Sequence, residues 1–111
     1  MQEQDFLRIV EGLQKVNVGI RGCNVWLYNN NLFQQIVIMF FDKDFYSDAP
    51  HKNICSQWGV VLDGEIILHT DVKQTLKRGD VFFIPKGTPH QVEIKAGYKD
   101  ITFFYGLRYK K

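Results

Sequence analysis

The sequence predicts an all-β sandwich or barrel. Short β-rich apolar runs recur along most of the chain, with a turn signal about every ten residues between them. The longest such run, Leu32 to Phe41, is β-branched and aromatic and has no helix stop signals.

Taken in order, Phe6-Leu7-Arg8-Ile9-Val10 with Leu13 fits one or two helical turns or a short strand, because so short an apolar segment satisfies both periods. Val25 to Tyr28 reads as a strand, and Asn29-Asn30-Asn31 as the turn after it. After the strand ending at Phe41, Asp42 to Pro50 is a polar loop. Trp58 to Leu62 and Glu65 to Leu68 are strands separated by the turn signal Asp63-Gly64. His69 to Lys73 reads as a hairpin connection, and Lys77-Arg78-Gly79-Asp80 as a turn in which the Asp80 carboxylate caps backbone donors. Val81 to Ile84 is a strand closed by Pro85, which cannot donate a ladder bond. Gln91 to Ile94 and Asp100 to Tyr105 complete the pattern.

At 111 residues the chain is expected to form one domain, residues 1–111, able to bury a core without staples; nine phenylalanines supply bulk. The formal charge of +2 is small and dispersed, which argues against a nucleic-acid partner. Arg108, Tyr109, Lys110 and Lys111 read as a solvated tail. Cys23 and Cys55 alone make no disulfide framework, and the polar N-terminus is unlike a signal peptide. The apolar run Ile36 to Phe41 is too short to span a bilayer. A cytoplasmic protein with no membrane partner is expected.

Two stretches carry chemistry. In Gly79-Asp80-Val81-Phe82-Phe83-Ile84-Pro85-Lys86-Gly87-Thr88-Pro89-His90, the spacing of Gly79, Pro85, Gly87 and His90 resembles the second motif of the cupin family. Upstream, Pro50-His51-Lys52-Asn53-Ile54-Cys55-Ser56-Gln57, with Gly64 beyond it, is similar to the first cupin motif, with Asn53 where the family usually has histidine and Gln57 where it usually has glutamate. The stretches Gln57 to Glu65 and Ala96 to Phe104 look most like small stand-alone bacterial cupins, in which glutamine replaces the glutamate.

The resemblance covers about residues 48–104 and implies a double-sheet jelly-roll β-barrel, preceded by an N-terminal helical turn or arm over residues 1–15. In a regular strand His51, Asn53, Cys55, Gln57, Gly59 and Val61 share one face, and the family resemblance turns that face inward. Carried over by position, the metal set is His51, Asn53, Gln57 and His90. It holds two imidazoles and two uncharged amides, suited to a weakly bound zinc, nickel or copper ion; manganese or iron is also within the family's range, although the two-histidine, one-carboxylate iron triad is missing. The same four residues also suit a metal-free polar pocket, with Asn53 and Gln57 bonded to each other. No organic cofactor is expected. Cys55 reads as a buried neutral thiol, and His69 as exposed.

The opposite face carries Ile54, Trp58, Val60 and Leu62, an apolar surface that another sheet or subunit must cover, and small cupins commonly form two-fold dimers. A homodimer is therefore expected. The functional expectation is a small-molecule binding cupin with a weak or absent divalent metal site near His51 and His90. The alternatives are a metal-dependent isomerase, lyase or dioxygenase, and a non-catalytic interaction or sensor module.

Overall fold

The structure, a computed structural model, describes residues 1–29, 31–106 and 108–109. Helix α1 (Glu3–Val10) precedes strands β1 (Gln14–Val16), β2 (Cys23–Leu27), β3 (Gln35–Phe41), β4 (Phe45–Tyr46), β5 (Gln57–Asp63), β6 (Glu65–His69), β7 (Lys73–Lys77), β8 (Val81–Ile84), β9 (Gln91–Ile94) and β10 (Lys99–Phe104). They form a six-stranded sheet ordered β1-β2-β3-β10-β5-β8 and a four-stranded sheet ordered β4-β9-β6-β7, and every named strand pairing is antiparallel.

The two sheets face each other across an apolar core. Val61, Phe82 and Ile84 from the larger sheet meet Ile66, Leu68 and Ile94 from the smaller, all buried. Period-two alternation places these side chains inward and their neighbours outward, as in β8, where Phe82 and Ile84 are buried and Val81 and Phe83 exposed. Two glycines fix local geometry. At Gly59 a Cβ would lie 2.6 Å from Cζ of Phe82 and 3.0 Å from Oγ1 of Thr102, so the Phe82 ring occupies the space a side chain would need. Gly64, at φ +78°, makes the tight turn between β5 and β6 and lies against the backbone of Tyr98.

Helix α1 covers part of the outer face of the larger sheet. Phe6 and Val10, four apart, share one side of the helix and pack on Ile38. The Phe6 ring meets Trp26 and Phe40 edge-on at centroid separations of 5.7 and 5.6 Å. Glu3 and Asp5 in the first turn, and Arg8 in the last, suit the helix dipole. Among the described residues no helix is long and apolar enough to cross a membrane.

The structure refines several element boundaries. The strand expected from Leu32 begins at Gln35, leaving Leu32 and Phe33 exposed, with Phe33 bonded back to the Asn31 side chain. The turn expected at Asn29–Asn31 includes Asn30, which lies outside the described residues. The polar loop over Asp42–Pro50 contains the short β4, and the hairpin connection around His69–Lys73 is narrower, because β6 and β7 run up to those two residues. The side chain of Asp80 accepts from Lys77 N at 2.8 Å, the cap expected at that turn.

Candidate functional site

The first-motif strand does not run regularly from His51. Regular pairing starts at Gln57, and His51 is held instead by an isolated antiparallel bridge to His90. Each backbone N–H donates to the other residue's carbonyl at 3.0 Å. This exchange brings the two rings to a centroid separation of 4.1 Å, tilted by 56°. The turn of the second motif is tied to the first-motif loop at two further points. Gly87 N donates to Asn53 O at 3.2 Å, and Lys86 N to Ser56 Oγ at 2.9 Å. Pro85 ends β8 and Gly87 adopts φ +77°, so the chain reverses and returns to deliver His90.

His90 is buried, and its Nδ1 lies 3.0 Å from Thr88 O. A carbonyl only accepts, so Nδ1 is the donor in this bond and Nε2 is left facing away from it. A backbone carbonyl holding one ring nitrogen is also the usual support for a ligating histidine. His51 is held below the usual imidazole range by its partial burial, then by His90, then by Arg108; it is therefore neutral at neutral pH. Asn53 is buried and donates from Nδ2 to Gln57 Oε1 at 2.6 Å.

These four residues sit at one end of a cavity of about 150 Å³ between the sheets, which Phe41, Phe82, Leu68 and Ile84 also line. A second polar cluster lines its other end. Asp100 is buried and accepts from Tyr98 OH at 2.6 Å and from Thr102 Oγ1 at 3.0 Å. Burial pushes its carboxyl up to about 6, with the two hydroxyl bonds opposing. Burial also raises the Tyr98 hydroxyl and pushes the Cys23 thiol up to about 12, Asp100 adding to both. Asp100 pairs with Val61, whereas Phe104 pairs with Gln57. The four-residue step between them along β10 puts the carboxylate about 13 Å from the amide pair, at about 3.3 Å per strand residue. Lys99 and Asp100 are both buried because Phe6 and Phe40 cover the outer face of the sheet at Lys99. Lys99 turns to the outer face, its Nζ 4.7 Å above the Phe40 ring, while Asp100 turns in.

A third part of the wall was not expected. Arg108 and Tyr109 line the cavity rather than forming a solvated tail, while Lys110 and Lys111 lie outside the described residues. The buried side chain of Gln35 pins this segment: its Oε1 accepts from the N–H groups of Arg108 and Tyr109 at 3.0 and 2.7 Å, and its Nε2 donates to Tyr109 O at 2.7 Å. Tyr109 packs edge-on against Phe104, and burial pushes its hydroxyl up to about 12.

The structure thus brings His51, Asn53, Gln57 and His90 to one cavity end, and adds Asp100 and Arg108, which sequence reasoning missed. The alternation of Asp100, Thr102 and Phe104 along one strand face was the available signal for Asp100. Cys55 is buried in a separate core cluster with Val25 and Phe104, and its thiol is raised by burial, as an inert thiol should be. His69 ends β6 and pairs with Glu93 at 2.5 Å on the outer side of the small sheet.

As a metal site the donor set is incomplete. His51 and His90 offer two adjacent imidazoles and fit as ligands. The Gln57 oxygen already accepts from Asn53, and Arg108 adds positive charge nearby. Among the described residues no three histidine, cysteine or acidic side chains cluster closely enough to hold an ion. The residues fit a two-imidazole anchor and lack the charge that would offset a divalent cation's dehydration.

Residues 38–104 match a protein-family model described as a cupin domain. No curated protein matches the chain. Among solved structures, an RmlC-like cupin from Shewanella frigidimarina is 27% identical, with a TM-score of 0.75, covering 88% of this chain and 87% of that one. KdgF from Halomonas sp. is 22% identical at a TM-score of 0.73, covering 86% and 89%. A putative mannose-6-phosphate isomerase from Ralstonia eutropha is 14% identical at a TM-score of 0.68, covering 82% and 91%. The latter two likenesses extend to the fold alone, and the differing names show how many activities one barrel hosts.

Proposed function

The chain belongs to the cupin domain family, and we propose that it binds a small organic molecule inside the barrel, with any divalent metal held weakly at His51 and His90. One observation carries this reading: a cavity of about 150 Å³ with mostly apolar walls and a few convergent polar groups, the pattern of a small-molecule site. His90 Nε2 and the neutral His51 ring would hold the ion, which when bound supplies Lewis-acid polarisation of a ligand oxygen. The Asn53–Gln57 bond orients the two amides whether or not an ion is present. Protein purified without a metal-affinity tag should carry substoichiometric metal, and added zinc or nickel should raise Tm only slightly. Stoichiometric, tightly held metal would defeat the weak-site reading. Two free cysteines, Cys23 and Cys55, support a reducing cytoplasm as the compartment.

Asp100 favours a second reading, an enzyme that moves a proton. A buried carboxyl pushed up to about 6 beside a cavity suits general acid–base work at neutral pH. Turnover on any substrate found should fall sharply in Asp100→Asn; retention of full activity would leave binding alone.

The homodimer proposal rests on the outer face of the large sheet. Strand register aligns Phe83, Trp58, Phe103 and Ile36 side by side across β8, β5, β10 and β3, and Trp58 stacks on Phe103 at 4.4 Å. Phe83 and Val81 are 56% and 60% exposed on the edge strand β8, an invitation to pairing. Sedimentation should show a dimer that Trp58→Lys converts to monomer; a monomeric wild type would end this proposal.

A further inference from the structure

Arg108 is the only lysine or arginine among the described residues that line the cavity. It does not belong to a frayed end. Gln35 holds its backbone and that of Tyr109 through three hydrogen bonds, and its guanidinium lies 4.9 Å from the Tyr109 ring centroid, where stacking limits its rotamers. Among the described residues no carboxylate forms an ion pair with it. Asp100, the one carboxylate among the described residues of the cavity wall, is at the far end and is occupied by Tyr98 and Thr102.

Among the described residues, the rim beside Arg108 therefore combines a stacked guanidinium that no carboxylate pairs with, two imidazoles and two amides, and no anionic side chain. A cation entering there meets repulsion, whereas an anion meets a charge-assisted donor whose planar fork matches a carboxylate. The rest of the wall sets the body of the molecule. Its side chains are chiefly aliphatic and aromatic, and a cavity of this volume has room for a benzene-sized group.

Resting on the small-molecule reading above, we propose that the ligand is a small monocarboxylate whose anionic end binds Arg108 at the rim and whose apolar body, of up to about ten non-hydrogen atoms, fills the barrel between Phe82, Phe104 and Leu68. The carboxylate supplies at the rim the negative charge that Gln57 does not.

The test compares butyrate with butyramide and benzoate with benzamide, pairs matched in shape and differing in charge, by calorimetry at fixed ionic strength. Wild-type protein should bind each acid at least roughly tenfold more tightly than its amide. Arg108→Gln should erase that preference by lowering acid affinity to the level of the amide, and Arg108→Lys should keep part of it. Equal binding of acids and amides by the wild type would overturn the carboxylate inference and leave the small-molecule reading standing. A preference that survives in Arg108→Gln would also overturn it. Failure of all four compounds to bind would remove both.

Discussion

The two polar ends of the cavity are built differently. At the rim, His51, Asn53, Gln57 and His90 are presented by a loop and a turn laced together by backbone bonds, and none of the four side chains is a carboxylate. At the floor, Asp100 projects from the middle of a six-stranded sheet, is buried, and is bonded at both oxygens by its own strand neighbourhood. The rim can exchange partners with a ligand at little structural cost. The floor stores electrostatic tension, because it holds an ionisable group where ionisation is unfavourable. The proposed ligand recognition accordingly falls to the rim, and the proposed proton chemistry to the floor.

The largest expected effect separates the two ends by pH. Asp100 is raised from 3.8 to about 6 in the folded protein, so the folded state binds its proton more tightly than the unfolded state does. Its contribution is fully present below pH about 4 and is lost as pH rises through about 6, amounting to at most about 3 kcal/mol. Asp100→Asn removes the charge and keeps one acceptor oxygen, its amide nitrogen facing the other hydroxyl as a donor. The stability difference between variant and wild type should therefore grow in the variant's favour from pH 4 to pH 7. A flat difference, measured by urea unfolding across that range, would show that the floor carries no such tension.

A smaller change tests the neutrality of the rim. Replacing Asn53→His and Gln57→Glu together restores a third imidazole and a carboxylate beside His51 and His90. Affinity for nickel or zinc should rise on the order of a hundredfold by titration calorimetry. No gain would mean that side-chain placement, rather than missing charge, limits metal binding. Between the two ends, Gly59 holds the middle of the cavity wall open to the Phe82 ring. Gly59→Ala forces that ring or Thr102 to move and should cost about 2 kcal/mol in thermal or urea unfolding, with a shifted ring environment for Phe82 in NMR spectra. An unchanged Tm would show that the ring relocates freely.

The same contrast explains what was legible in the sequence. The rim was readable because its residues sit in short motifs whose glycines and prolines punctuate the chain; those motifs carry the cupin resemblance, which implied that His51 and His90 meet in one barrel. The all-β class and several strand bounds followed from β-rich runs and turn signals, as in β8 and β9, whose bounds match the expected ones. For Asp100 the alternation with Thr102 and Phe104 was a visible signal, but its register with Val61, which sets it beside the cavity, leaves no local mark. Arg108 and Tyr109 were misread as a tail because a short run of basic and aromatic residues usually is one. What holds them is Gln35, 73 positions away from Arg108, whose burial no periodicity announces. The irregular segment from Lys52 to Ser56 broke the parity expected for a continuous strand, since backbone groups there bond to the second-motif turn instead of a ladder.

The smallest effect dissects the floor itself. Thr102→Val is nearly isosteric and removes only the hydroxyl that donates to Asp100 Oδ1. A hydrogen bond to a charged acceptor is stronger than one to a neutral group, so the loss should depend on the state of Asp100. Above pH 7, where the carboxylate is ionised, the variant should lose about 1.5 kcal/mol. Near pH 4, where the carboxyl is neutral, the loss should shrink to about 0.5 kcal/mol. The midpoint of that change should sit above the wild-type value, because removing a donor to the anion raises its proton affinity further. A pH-independent loss would show that Thr102 merely fills space beside Gly59 and that the Tyr98 hydroxyl alone sets the behaviour of Asp100; Tyr98→Phe, read in the same way, would then carry the whole pH-dependent difference.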